Sequence, residues 1–190
     1  SPALADGHEE RRIGLPDGRE LGYREYGDPD GYPVIHHHGG LVCGLDVASA
    51  HDAARALGLR LLAPDRPGVG LSTLRPGRIT ADWAEDVAAF ADALGLPRFG
   101  AFGWSLGGQY ALAVAARLPE RTSAVVVVAG SVPLDAGRIA ELSRTDRRLL
   151  RLAERSPATC RFVFATMGAV ARTAPGIFTA VSARELSESD

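Results

Sequence analysis

The sequence predicts an α/β protein, a mostly parallel sheet with helices on its faces, and three observations carry that prediction. Short apolar runs of strand length recur at residues 33–37, 60–63, 98–102 and 122–129, separated by stretches with helical spacing. The run Thr122-Ser123-Ala124-Val125-Val126-Val127-Val128-Ala129 is apolar almost throughout, which suits a parallel strand covered on both faces. Gly and Pro punctuate nearly every change of pattern, so the runs are separate elements.

Taken in order, Arg12-Ile13-Gly14-Leu15 and Arg19–Tyr26 flank Pro16-Asp17-Gly18, a strong turn signal, and predict an antiparallel hairpin. Gly27–Gly31 breaks the chain before a third strand at Pro33-Val34-Ile35-His36-His37. A helix is expected from about Asp46 to Leu57, with Val47, Ala50, Ala54 and Leu57 on one face and Gly58 ending it. Arg60-Leu61-Leu62-Ala63 is a short strand stopped by Pro64-Asp65-Arg66-Pro67-Gly68. Thr80 or Asp82 caps the next helix, in which Trp83, Val87, Phe90, Ala91 and Leu94 keep helical period up to Gly95. Arg98–Phe102 reads as a buried strand, and Gln109–Leu118 as an Ala-rich helix closed by Pro119. After Pro133 the strand signal disappears. Ile139, Leu142, Leu149 and Leu152 recur at helical spacing among arginines, Pro157 opens a second segment through Phe162, Val163, Met167 and Val170, and Pro175 opens a third. The expected division is a core over residues 1–134 and an incomplete helical cap over 135–190.

At 190 residues the chain is long enough for one substantial core. A formal net charge of −2 gives no reason to expect nucleic acid or an anionic membrane as partner, and no run is long and apolar enough to span a bilayer. Cys43 and Cys160 lie far apart in no metal-like spacing and read as free thiols of a cytoplasmic protein. The three consecutive histidines, His36, His37 and His38, do not form a metal set, because successive strand residues face opposite sides. Neither a metal nor another cofactor is expected.

Chemistry enters at Gly103-Trp104-Ser105-Leu106-Gly107-Gly108, a G-x-S-x-G pattern between a predicted strand and a predicted helix. A serine at the tip of so tight a turn has a strained backbone, and residues two positions away must lack bulky side chains. Gly103 and Gly107 meet that need, while Gly108 lets the helix sit close to the sheet. The turn aims the Leu106 N–H, at a helix N-terminus, toward the place where an oxyanion would form. His38-Gly39-Gly40 follows the third strand directly, and a glycine there lets the backbone turn an N–H toward the serine. Gly40 and Leu106 are therefore the expected oxyanion donors and Ser105 the nucleophile, with Trp104 and Leu41 as candidate substrate contacts.

These motifs resemble the α/β-hydrolase fold family, in its capped, esterase-like branch. His38-Gly39-Gly40, Asp65-Arg66-Pro67-Gly68-Val69-Gly70-Leu71-Ser72 and Gly103–Gly108 match, in order, the family's oxyanion loop, its post-strand loop and its elbow. The resemblance covers residues from about 12 to 134 and is loose in the cap. It implies a serine hydrolase acting on a small ester-like substrate, with Asp65 and the Pro67–Gly70 turn as structural. The family's catalytic acid and histidine follow the cap, yet no histidine occurs after His51. Asp135 stands where some relatives carry their acid, although a surface-loop aspartate is the competing reading. The remaining strands, the acid and the histidine are therefore expected from a second polypeptide or from residues beyond these 190. Two alternatives stay open: a non-catalytic binding protein, and a cofactor-free haloperoxidase-like or lyase activity on the same scaffold.

Overall fold

The computed structural model describes residues 9–131, 136–142 and 144–180. The chain divides into two compact units, residues 1–133 and 134–190. In the first unit, Arg11–Gly14 (β1) and Glu20–Gly27 (β2) form the predicted hairpin, and Gly18 takes φ +82° in its turn. Tyr32–His37 (β3), Leu59–Pro64 (β4), Phe99–Trp104 (β5) and Thr122–Val128 (β6) complete a six-stranded sheet in the order β1-β2-β4-β3-β5-β6. The β1/β2 and β2/β4 pairs are antiparallel, whereas β4/β3, β3/β5 and β5/β6 are parallel. The fold is thus α/β, with a mostly parallel sheet.

Strand alternation sends neighbouring side chains to opposite faces. Leu21, Tyr23, Ile35, Leu62 and Phe99 pack with Trp83, Val87 and Phe90 of Trp83–Ala93 (α2) and with Tyr110 and Val114 of Gly107–Arg117 (α3). Tyr26, Val34, Leu61, Ala63 and Phe102 face the other way, against Val47 and Ala54, the latter on His51–Ala56 (α1). The chain leaves β3 toward β4 across one face and leaves β5 toward β6 across the other. A crevice therefore opens between the loops that follow β3 and β5, at the carboxyl ends of their strands. Both the His38-Gly39-Gly40 segment and the Ser105 turn lie there.

One expectation needs correction. The helix expected over 46–57 is a 3-10 stretch at Gly44–Ala50 followed by the short α1. The Asp46 carboxylate there is committed to His36 and to the Gly39 N–H, so it anchors the β3 loop instead of starting a regular α-helix. Leu57, expected on the buried face with Val47 and Ala54, is exposed. The apolar pattern of β6 asks for cover on both faces, which the remaining strands expected from elsewhere would supply. Val125, Val126, Val127 and Val128 are each more than a third exposed, because β6 is the edge strand among the described residues. An apolar groove of about 410 Å³ also opens on the α1 face of the sheet, between Ala54 and Leu57 on one side and Ala124 and Val126 on the other.

The second unit contains Ala136–Glu141 (α4), Arg144–Arg155 (α5) and Pro157–Thr173 (α6), with a further helical turn over 175–180. Proline opens α6 as predicted, since its missing N–H costs nothing in a first turn. Helices α5 and α6 pack together; Leu149, Leu152, Val163 and Val170 are half-buried, while Phe162 and Met167 stay exposed. Among the described residues no helix is long and apolar enough to cross a membrane.

Candidate active site

The turn between β5 and α3 holds Ser105 at φ +51°, a left-handed conformation that costs an L-residue roughly 1–2 kcal/mol. Three surrounding contacts impose it. A Cβ on Gly103 would lie 2.5 Å from the Gly107 carbonyl oxygen, and one on Gly107 would run into the carbonyl oxygens of His37 and His38. A Cβ on Gly108 would lie 2.7 Å from Val127 Cγ1 and 3.1 Å from Gly130 Cα, so α3 sits against β6 only because that position is bare. The Ser105 N–H donates to the Val128 carbonyl at 2.9 Å, and its own carbonyl accepts from Gly108 and Ser131. The strained residue is therefore tied on both sides of its peptide. Ser105 and Leu106 are half-buried, and among the described residues the Leu106 N–H donates no hydrogen bond.

Across the crevice, Gly40 is exposed, and a Cβ built on it would lie 3.5 Å from Leu106 Cδ2. The β3 loop and the elbow thus meet at these two residues. Among the described residues the Gly40 N–H likewise donates to nothing. Leu41 follows with φ +58°, and its side chain is 82 % exposed at the mouth of the crevice. Trp104 is 41 % exposed, and its ring covers Gly39, where a Cβ would come within 3.0 Å of it. Trp104 also borders a small cavity with His36, Asp46 and Phe102.

Each of the three consecutive histidines has a separate structural task. His36 Nε2 lies 2.7 Å from Asp46 Oδ1. His37 Nδ1 accepts from Trp83 Nε1 at 3.0 Å on the opposite face, which fixes the neutral tautomer with the proton on Nε2. His38 Nδ1 donates to the Gly39 carbonyl at 3.0 Å, and its Nε2 accepts from the Arg66 N–H at 3.1 Å. Burial drives the His37 ring well below the ordinary histidine range and brings His38 down to about 4, helped by the nearby Arg66 charge. Both rings are neutral at pH 7. His51 Nδ1 accepts from the Gly27 N–H. No described histidine is placed against Ser105, and Asp135 lies outside the described residues. Among the described residues no group of three or more His, Cys, Asp or Glu could hold a metal ion.

The post-strand loop is a scaffold for these parts. The fully buried Asp65 accepts from the Gly44 N–H at 2.6 Å and from Arg24 Nη1 at 3.0 Å. Ser72 Oγ donates to the Asp65 carbonyl and accepts from the Gly22 N–H, closing the loop onto β2. Gly70 takes φ +54°, where a side chain would collide with the Asp65 carboxylate. Arg66, only 4 % exposed, donates through Nη1 to the His38 carbonyl and through Nη2 to the Gly39 carbonyl at 2.6 Å. Its guanidinium lies 4.4 Å from the centre of the Tyr110 ring. Sequence reasoning missed Arg66 and Asp46. Both stood in view, one inside a recognised loop and one assigned to a helix start, but their contacts are tertiary.

Comparison with known proteins bears on the family and the fold. The chain is 34% identical over 118 residues to a proline iminopeptidase from Xylella fastidiosa, matching 60% of this chain and 37% of that protein. It is 34% identical over 120 residues to a non-heme chloroperoxidase from Streptomyces lividans, matching 62% of this chain and 44% of that one. Those matches span less than half the length of either relative. A hydrolase from Pseudomonas aeruginosa superposes with a TM-score of 0.66 at 22% identity, over 90% of this chain and 64% of that one, a likeness of fold alone. The model of the alpha/beta hydrolase fold matches residues 32–173, which include the β3 loop, the post-strand loop, the elbow and most of the helical unit. With sheet order, elbow and family match in agreement, this chain belongs to the α/β hydrolase family.

Proposed function

We propose that this chain carries the nucleophile and oxyanion half of a serine hydrolase active site, acting on a small carboxylic ester. The observation that carries the reading is the strained Ser105 at φ +51°, held where β5 turns into α3 by glycines with no room for a side chain. Strain of this kind persists only where surrounding structure over-determines it, and it gathers at sites of function. In the proposed reaction Ser105 Oγ gives its proton to a histidine and attacks the ester carbonyl carbon. The negative charge that builds on the carbonyl oxygen is taken by the Gly40 and Leu106 N–H groups. Each such donor typically contributes about 3–4 kcal/mol to the transition state. Collapse of the tetrahedral intermediate expels the alcohol, and water then releases the acid from the acyl-serine. An ester is preferred over an amide because an alkoxide is a far better leaving group than an amide anion. No cofactor is needed. Leu41 and Trp104, at the mouth of the crevice, are the proposed substrate contacts.

The base and acid are proposed to come from polypeptide outside the described residues, either a second fragment or continuing chain, which would also cover the exposed valines of β6. A bare apolar edge strand is a template for aggregation. Relatives roughly one and a half times as long support this reading. The free thiols of Cys43 and Cys160 suit a reducing compartment such as the cytoplasm. Similarity to a chloroperoxidase favours a second reading, cofactor-free peroxidation through the same serine. The test is labelling of the whole protein with a fluorophosphonate probe. Modification at Ser105, lost in Ser105→Ala, supports an activated serine. A folded protein that stays unlabelled favours a binding protein that has kept only the scaffold. Hydrolysis of short-chain aryl esters, compared with peroxide-dependent halogenation, then separates esterase from haloperoxidase.

A further inference from the structure

We infer that Arg66 is a positioning residue that locks the Gly39–Gly40 peptide so that the Gly40 N–H faces the elbow. The inference rests on the proposed role of Gly40 as an oxyanion donor, but its structural basis is independent of it. The peptide between residues 39 and 40 is flanked by glycine on both sides. Neither residue has a Cβ to restrict φ and ψ, so backbone sterics alone do not decide which way this peptide plane faces. A planar trans peptide points its C=O and its N–H in opposite directions. Whatever holds the Gly39 carbonyl therefore also aims the Gly40 N–H.

Arg66 Nη2 holds that carbonyl at 2.6 Å, and the His38 ring donates to the same oxygen at 3.0 Å. The other guanidinium nitrogen holds the preceding carbonyl, that of His38. The Gly39 N–H, on the opposite side of the preceding peptide, donates to Asp46 Oδ2 at 3.0 Å, and Asp46 is braced by His36. Two successive peptides are thus pinned with their carbonyls on Arg66 and the first N–H on Asp46. Only the Gly40 N–H is left over, next to Leu106. No carboxylate hydrogen-bonds to this guanidinium among the described residues. It lies instead over the Tyr110 ring, with one donor from each terminal nitrogen on a main-chain carbonyl. Burying a cation for two backbone carbonyls is costly unless their direction matters.

The test compares Arg66→Met and Arg66→Lys with the wild type in the whole protein. In crystal structures the Gly39–Gly40 peptide of Arg66→Met is expected to rotate or to occupy two orientations, while Arg66→Lys, with one compact donor group, keeps part of the original orientation. On an aryl ester, kcat should fall roughly 10²–10³-fold in Arg66→Met with KM within about threefold, the signature of one lost oxyanion donor. Arg66→Lys should recover part of that loss. An unchanged peptide in a folded variant, or kcat preserved, overturns the inference. If Arg66→Met does not fold, the crystallographic comparison rests on Arg66→Lys, where an unshifted peptide with undiminished kcat has the same consequence. A wild-type protein that no fluorophosphonate labels would sink the hydrolase reading alone, and the orientation of the peptide would still decide this one.

Discussion

His37 and His38 make the stability of this domain fall on the acid side earlier than its carboxylates would dictate, and His38 gives the effect a number. Its ring is buried, accepts the Arg66 N–H through Nε2 and stands beside the Arg66 guanidinium, so the folded state resists taking a second proton until about pH 4. The unfolded chain takes that proton near 6.5. A depressed histidine value means that stability is complete above 6.5, drains as the pH falls and levels off below about 4. With about 1.4 kcal/mol per pH unit, the loss reaches about 2 kcal/mol at pH 5 and about 3 kcal/mol at pH 4. His37, lowered in the same direction, steepens the wild-type curve further. The discriminating perturbation is therefore His38→Gln, which offers an acceptor near the position of Nε2 but does not titrate. Urea unfolding followed by Trp83 fluorescence, repeated from pH 7.5 to 4.5, should give a wild-type curve that converges on or crosses below the variant's as the pH falls. Parallel curves across that window would refute the argument, because they would mean that His38 takes its second proton as readily in the fold as in the unfolded chain.

Other perturbations probe the elbow and its supports. Ser105→Gly should be more stable than Ser105→Ala by about 1–2 kcal/mol in urea unfolding, since only glycine relieves the φ of +51°, while both lose all fluorophosphonate labelling. Gly107→Ala should destabilise by about 1–3 kcal/mol or more, read from the denaturation midpoint, because its Cβ meets two main-chain oxygens that cannot move aside. Trp83→Phe should cost about 1–3 kcal/mol in urea unfolding followed by circular dichroism, since it leaves His37 Nδ1 buried without a donor, on a ring whose Nε2 has no hydrogen-bond partner among the described residues.

Legibility in the sequence followed the range of the physics. The elbow could be read because its requirement is local: Gly103, Gly107 and Gly108 stand within three residues of Ser105, and the backbone clashes they avoid come from the turn and the strand beside it. The hairpin, β3 to β5 and the start of α6 at Pro157 were readable for the same reason, since turn chemistry and periodicity act over a few residues. Arg66 was not readable as the holder of the β3 loop. It acts 28 positions away from His38, and a motif says only that an arginine is there, not which carbonyls it will find. Asp46 misled in a related way: its spacing suits the start of a helix, but His36 and the Gly39 N–H compete for its carboxylate and leave a 3-10 stretch in place of a regular α-helix. The valines of β6 specify a strand wanting cover, and such a pattern is silent on what supplies the cover. That is a tertiary fact, and here four exposed valines and an apolar groove hold its place. The same division runs through the site itself. The proposed nucleophile and oxyanion donors rest on main-chain geometry that short segments can encode, whereas the proposed acceptor of the serine proton would have to be brought from elsewhere in sequence by the sheet.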